Sequence, residues 1–239
     1  MKWPAELSPE FIAALDKGLA SLEPGVRAVA AFDADGTLWN GDFGEAFLRW
    51  LIAGRKLLNI DYEQDLFAAY EEMVDEDRNK AYIHAVAMMA GLKVDDITTW
   101  SSWLASAWPN YRPAMNRLIA LFQEAGVETW IVSASNGWSI KAAAPLVGID
   151  PARSLGITTV VTDGVITPEP VHPVTSGAGK VAATRDIIGA RPLFAFGDSM
   201  GDFELLEDAL LPMVVGEVRK SDTEVIQIAR ERGWPVTLF

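Results

Sequence analysis

The amino-acid sequence predicts an α/β fold: a Rossmann-like parallel sheet with helices on both faces, plus an all-helical segment inserted after the first strand. Three observations carry this. Short, mostly apolar runs at 28–32, 129–133, 193–196 and 212–215 read as strands buried on both sides, as parallel sheets require. Helical patterns alternate with them, as crossover connections demand. Between Asp42 and Arg112 the alternation stops and only helical spacing remains. The chain therefore divides into a core domain at 1–38 and 112–239 and a helical cap at 39–111.

Taken in order, Ser8-Pro9-Glu10 starts a helix, with Ser8 as N-cap and Pro9 in the first turn. Phe11, Ile12, Leu15, Leu19 and Leu22 give it an apolar face, and Pro24-Gly25 ends it. The first strand follows and runs into Asp33-Ala34-Asp35-Gly36-Thr37. The insert predicts helices at 45–53, 63–74, 80–90 and 95–107, and Arg112-Pro113 closes it. A helix over 114–125 ends at Gly126, and the second strand, 129–133, ends in the Ser133 hydroxyl. Ser135-Asn136-Gly137 turns into another helix. Residues 155–167 read as two short strands around an Asp163-Gly164 turn. Lys180 opens a helix after a small-residue loop, and the third strand ends in Gly197-Asp198-Ser199-Met200-Gly201-Asp202. A fourth strand at 212–215, a helix over 223–232 and an apolar tail at 236–239 complete the chain.

The 239 residues suffice for one large domain or a core with a smaller insert. A net charge of −13 opposes binding to nucleic acid or an anionic membrane. It leaves an anionic small molecule open, because local cations outweigh a distant field. With no cysteine, thiol catalysis, disulfides and zinc–thiolate sites are excluded. No apolar run is long enough to span a bilayer, and the first residues lack a signal-peptide core, so a cytoplasmic protein is expected. Oligomeric state is not encoded in any of these features.

Strands alternate faces, so Asp33 and Asp35 point roughly the same way. Paired carboxylates repel and resist desolvation, and a metal cation is the natural compensator. Gly36 allows a sharp turn with an open N–H, and Thr37 is available to cap a helix or bind an anion. In a parallel sheet Asp33, Asp35, Ser133, Asp198 and Asp202 gather at one edge, with Lys180 at a helix start nearby. This inventory suits phosphoryl transfer. Mg²⁺ takes carboxylate and phosphate oxygens, here from Asp33 and Asp198. Lys180, Ser133 and the backbone N–H groups around Asp35–Gly36 and Ala134 would hold phosphate. A carboxylate nucleophile forms an aspartyl-phosphate, and its neighbour in the pair serves as general acid and then base.

With these motifs in this order — DADGT at 33–37, Ser133, Lys180 and GDSMGD at 197–202 — the chain resembles the haloacid dehalogenase-like superfamily, and the helical insert resembles its phosphoserine phosphatase branch. The resemblance implies Asp33 as nucleophile and Asp35 as acid/base. It implies Mg²⁺ held by the Asp33 carboxylate, the Asp35 backbone carbonyl and Asp198, with Asp202 supporting the ions or joining them. It further implies phosphate held by Ser133 and Lys180, and a small phosphorylated metabolite as substrate. Asp42 falls near the acidic residue that meets the substrate amine in that branch, while Arg49, Arg55 and Arg78 compete for a substrate carboxylate. The chain departs from the branch at Ala134-Ser135-Asn136, where glycines are expected after the motif serine. The tryptophans at 39, 50, 100, 103 and 108 either fill the insert's core or offer cation–π contacts to phosphocholine, which with phosphoethanolamine is the alternative substrate. A non-catalytic binding protein on the same fold is the remaining alternative. The Gly177–Ala182 match to a dinucleotide motif lacks its preceding apolar strand and is set aside.

Overall fold

The computed structural model describes residues 2–239. Helix α1, Pro9–Ala20, begins at Ser8, whose side chain accepts from the Phe11 N–H. Strand β1, Val29–Phe32, follows, and then four helices come in succession: α2, Phe43–Ala53; α3, Leu66–Glu76; α4, Arg78–Ala87; and α5, Val94–Ala107. The chain continues through α6, Pro113–Glu124, β2, Glu128–Asn136, and α7, Gly137–Ala143. Beyond these lie β3, Ser154–Ile157, β4, Thr159–Thr162, β5, Val165–Pro170, and α8, Ala178–Ala183. The last elements are β6, Phe194–Gly197, α9, Phe203–Asp208, β7, Leu211–Gly216, α10, Glu224–Arg232, and β8, Val236–Leu238.

Six strands form one sheet in the order β3-β2-β1-β6-β7-β8, every neighbouring pair parallel. The chain builds outward from β1 through β2 to β3, then crosses to β6 on the other side of β1. A topological switch point therefore lies at the C-terminal end of β1, where open α/β sheets receive ligands. Strand β1 is buried along its whole length, and its side chains divide by face. Ala30 and Phe32 pack with Phe11, Leu118 and Phe122 of α1 and α6. Val29 and Ala31 pack with Leu205, Leu206 and Val225 of α9 and α10. Both faces are covered, which is why the strand is apolar without alternation.

The insert's helices hold a cluster of their own, built from Phe47, Leu51, Phe67, Tyr70, Val86 and Ile97. Trp138 of α7, Ile157 of β3 and Ile166 of β5 join that cluster from outside 39–111. Strand β5 also bonds to the insert directly: Gly91 N–H donates to the Ile166 carbonyl, and Ile166 N–H to that of Leu92.

Three expectations need correction. The second strand does not end at Ser133: β2 runs on through Ser135 and Asn136, and Asn136 pairs with Ile157 of β3. Residues 155–167 were to supply two strands around one turn. The turn at Asp163-Gly164 is present between β4 and β5, but Leu155 belongs to a third strand, β3, at the edge of the main sheet. Only one residue separates β3 from β4, so the two read as a single run. Lys180 does not open its helix: α8 starts at Ala178, with Gly177 as its cap, and Lys180 lies within its first turn.

Candidate active site

At the C-terminal end of β1 lies a cavity of about 340 Å³. Its floor comes from the ends of β1 and β6, from β2 and from one helix. Asp33 follows β1 directly, and its N–H donates to the Phe196 carbonyl of β6, so the peptide is set by the sheet ladder. Ser133 lies on β2, 1% exposed, with its carbonyl accepting from the Thr175 hydroxyl. Asp198 follows β6. Lys180 reaches in from α8, and its Nζ lies 2.6 Å from Asp33 Oδ1 and 2.6 Å from Asp202 Oδ1. Asp202 Oδ2 accepts from the N–H groups of Asp198 and Ser199 and from the Ser199 hydroxyl. Single oxygens of Asp33, Asp198 and Asp202 all lie within 4.8 Å of one another.

Charge explains what this floor lacks. Of the cations that line the cavity, Lys180 alone pairs with the floor carboxylates Asp33 and Asp202 among the described residues, while Lys220 and Arg78 pair with none of Asp33, Asp35, Asp198 and Asp202. Burial, then the Asp202 charge, push Asp33 up to about 7, and Lys180 only partly opposes them. Burial and the neighbouring Asp202 and Asp33 likewise push Asp198 well above the usual carboxylate range. Burial alone would pull the Lys180 ammonium down, but Asp202 and Asp33 outweigh it and hold it above its ordinary value. The donor set is oxygen only and short of positive charge, which fits a hard divalent cation. Gly36 is shaped to the same end. Its φ is +80°, and a Cβ there would stand 2.1 Å from Asp198 Oδ2, so a side chain would displace that carboxylate.

Asp35 is tied differently. Oδ1 accepts from Trp39 Nε1 at 2.7 Å and from Phe43 N–H at 2.6 Å, and Oδ2 accepts from the Ser135 hydroxyl. Burial raises its pKa, and these donors, Ser135 first, pull against that rise.

The roof comes from the insert and is lined by Asp42, Glu45, Leu48, Tyr70, Tyr82 and Met89. Asp42 caps α2 by accepting from Glu45 N–H, and Tyr70 donates a long 3.4 Å bond to Glu45. Burial, then repulsion from Asp35, push Asp42 well above its ordinary value, and burial raises Glu45 as well. Arg78 stands at the rim.

Of the sequence-predicted residues, Asp33, Asp35, Gly36, Asp42, Ser133, Ala134, Lys180, Asp198 and Asp202 all line this cavity. Thr37 does not. It is fully buried behind the turn, its Oγ1 has no partner among the described residues, and the cap of the next helix is Asp42 instead. The Gly36 N–H is not open either, since it donates to the Gly41 carbonyl at 3.3 Å. Among the three arginines, Arg78 alone lines the cavity. Arg49 pairs with Glu71 and stacks on Phe67, and Arg55 lies over Tyr62. None of the tryptophans at 39, 50, 100, 103 and 108 is among the lining residues, so a tryptophan cage for a quaternary ammonium is not built. Trp39 is buried on Asp35, and Trp50 packs with Phe47, Trp100 and Trp103. Sequence reasoning missed Glu45, Tyr70, Tyr82 and Ser135. Only Ser135 had a usable signal, because it lies two residues past Ser133 on a strand and so shares its face.

Comparison with known proteins gives the chain its family. A family model described as haloacid dehalogenase-like hydrolase matches residues 30–207. Phosphoserine phosphatase SerB1 of Mycobacterium tuberculosis is 25% identical over 230 residues, covering 90% of this chain and 71% of that protein. Histidinol-phosphatase of Neisseria meningitidis is 24% identical over 226 residues, covering 90% of this chain and 100% of the relative. A solved phospho-aspartyl intermediate analogue of phosphoserine phosphatase superposes with a TM-score of 0.56 at 16% identity, over 89% of this chain and 93% of that one, a likeness of fold.

Proposed function

The chain belongs to the haloacid dehalogenase-like hydrolases and is a phosphoric monoester hydrolase; from that premise we propose a Mg²⁺-dependent phosphatase that cleaves a small phosphomonoester through an aspartyl-phosphate on Asp33. The observation that carries this reading is the Lys180 ammonium, buried and bridging Asp33 and Asp202 at 2.6 Å each, beside the oxygens of Asp198. Asp33, Asp198 and the Asp35 carbonyl would hold the ion. Asp202 supports them, because its own oxygens are filled by Lys180, Ser199 and backbone donors. A bound Mg²⁺ would neutralise the crowded carboxylates and the phosphate charge.

The side chains divide the remaining work. Lys180 and Ser133 bind and orient the phosphate with the backbone at Ala134, so that an Asp33 oxygen stands in line with the leaving alcohol. Asp33 attacks phosphorus, and Asp35 protonates the departing alkoxide. Asp35 then takes a proton from the water that releases phosphate, a role worth about 10²–10⁴ in rate. Residues 39–111 act as a cap that excludes water over this floor.

The alcohol half meets the roof, where Asp42 and Glu45 lie beside Tyr70 and Tyr82, with Arg78 at the rim. That wall favours an amine-bearing alcohol, and Arg78 adds a partner for a carboxylate, so phosphoserine is the first candidate. Phosphoethanolamine and phosphocholine remain in the comparison through the acidic and tyrosine groups, not through tryptophan. The histidinol-phosphatase relative adds histidinol phosphate, another amine-bearing ester. A kcat/KM panel over these four substrates and a sugar phosphate, with and without Mg²⁺ and a chelator, tests the reading. Amine-bearing esters should lead, and activity should vanish with the metal and return on its readdition. Full turnover without a divalent ion, or preference for the sugar phosphate, would overturn it.

A further inference from the structure

Three donors hold Asp35, and they are not equivalent. Trp39 Nε1 and the Phe43 N–H both point at Oδ1, and neither group is able to accept a hydrogen bond. Oδ1 is thus filled by groups that suit only an unprotonated oxygen. Oδ2 meets a single side chain, Ser135, whose hydroxyl donates or accepts according to how its proton is turned. Ser135 lines the cavity, and its N–H donates to Ser133 Oγ at 3.0 Å, which ties it to the phosphate-facing serine. The first turn of α2 is bare where Ser135 approaches. A Cβ on Gly44 would lie 2.6 Å from Ser135 Oγ and 2.9 Å from its Cβ. Such contacts are below any tolerated separation, so Gly44 makes the space that Ser135 occupies.

Resting on the phosphatase reading above, we propose that Ser135 is the positioning residue that selects Asp35 Oδ2 as the oxygen serving the leaving alcohol. In the first step an Asp33 oxygen bonds to phosphorus. The bond from phosphorus to the alcohol oxygen breaks with its electron pair, and the proton on Asp35 Oδ2 passes to that oxygen. In the second step a water oxygen bonds to phosphorus, the Asp33–phosphorus bond breaks, and the water's proton goes to Oδ2. Oδ1 stays bound to Trp39 and Phe43 throughout. Ser135 donates to Oδ2 in both states, using the lone pair that stays free when the oxygen carries a proton, so that this proton points at the alcohol. The carboxyl group thereby keeps one orientation through the cycle.

The test compares p-nitrophenyl phosphate, whose leaving group departs without a proton, with phenyl phosphate, which needs one. Ser135→Ala should lower kcat/KM for phenyl phosphate about tenfold or more and for p-nitrophenyl phosphate less than about threefold. Ser135→Thr, which keeps the hydroxyl, should restore much of the difference. Gly44→Ala should reproduce it with Ser135 still present, which keeps the test independent of how Ser135→Ala folds. Equal losses on both esters, or none, would overturn the assignment. Asp33→Asn run alongside separates the levels: residual turnover there, or no turnover of either ester by the unchanged protein, overturns the underlying reading instead.

Discussion

The floor and the roof of the cavity are both rich in charge, yet they satisfy it in different ways. On the floor Lys180 bridges Asp33 and Asp202, and Asp202 also collects three donors on its other oxygen, so that among the described residues only the Asp198 carboxylate is left without a protein partner, open to a cation. On the roof, Asp42 has only the N–H of its own helix, and Glu45 only a long bond from Tyr70. None of Asp42, Glu45 and Arg78 forms an ion pair among the described residues. A group with internal partners is set before substrate arrives, whereas a desolvated charge without one gains most when a ligand supplies its complement. The floor therefore carries the chemistry, and the roof carries the choice of alcohol.

Breaking the floor should produce the largest effects. Asp33→Asn should reduce turnover about a thousandfold or more. It should also raise the melting temperature of the metal-free protein, because a crowded carboxylate becomes neutral. Lys180→Ala should abolish activity as well but lower stability, by about 3–5 kcal/mol, since it strands two buried carboxylates. Chemical denaturation of the two variants checks this opposition of sign.

The next effect is a dependence on pH. Asp33 rises to about 7 when folded, from an unfolded value of 3.8. Its burial as a carboxylate thus costs stability above pH 7, and the cost fades as pH falls from 7 toward 3.8. Metal-free protein should gain thermal stability from pH 8 to pH 5, and added Mg²⁺ should stabilise most at pH 8. Thermal scans with chelator and with Mg²⁺ measure both, and a flat metal-free profile would count against the charge-deficient floor.

The roof should respond more gently and more selectively. Asp42→Asn and Glu45→Gln should each raise KM for the preferred amine-bearing ester about tenfold, or about 1.4 kcal/mol, while leaving phenyl phosphate nearly unaffected. The smallest effect belongs to the rim of the fold. Arg27 holds Glu128 down at about 2, but the pair is partly exposed, so Arg27→Ala should cost less than about 1 kcal/mol.

The same contrast decides what the sequence made legible. Floor residues lie at or within short apolar runs that alternate with helical patterns, so Asp33, Ser133 and Asp198 could be placed on one edge by topology. Lys180 could be grouped with them for the same reason, although its helix starts two residues earlier than its position suggested. Roof residues come from helices whose packing depends on contacts far apart in the chain. Tyr70 and Tyr82 look like ordinary apolar-face residues, and the insert's tryptophans look equally available. Which aromatic groups face the cavity is settled by how α2–α5 close on Trp138 and Ile166, and no local pattern states that. Thr37 was misplaced because a hydroxyl after a glycine turn suits a cap, and only the structure shows the turn carrying it into the core.

The most direct test is to trap the covalent state. Protein mixed with substrate and Mg²⁺, quenched in acid and reduced with borohydride, should yield a homoserine at position 33 in the peptide map. Reduction at any other carboxylate, or turnover with no trapped residue at all, would contradict the account.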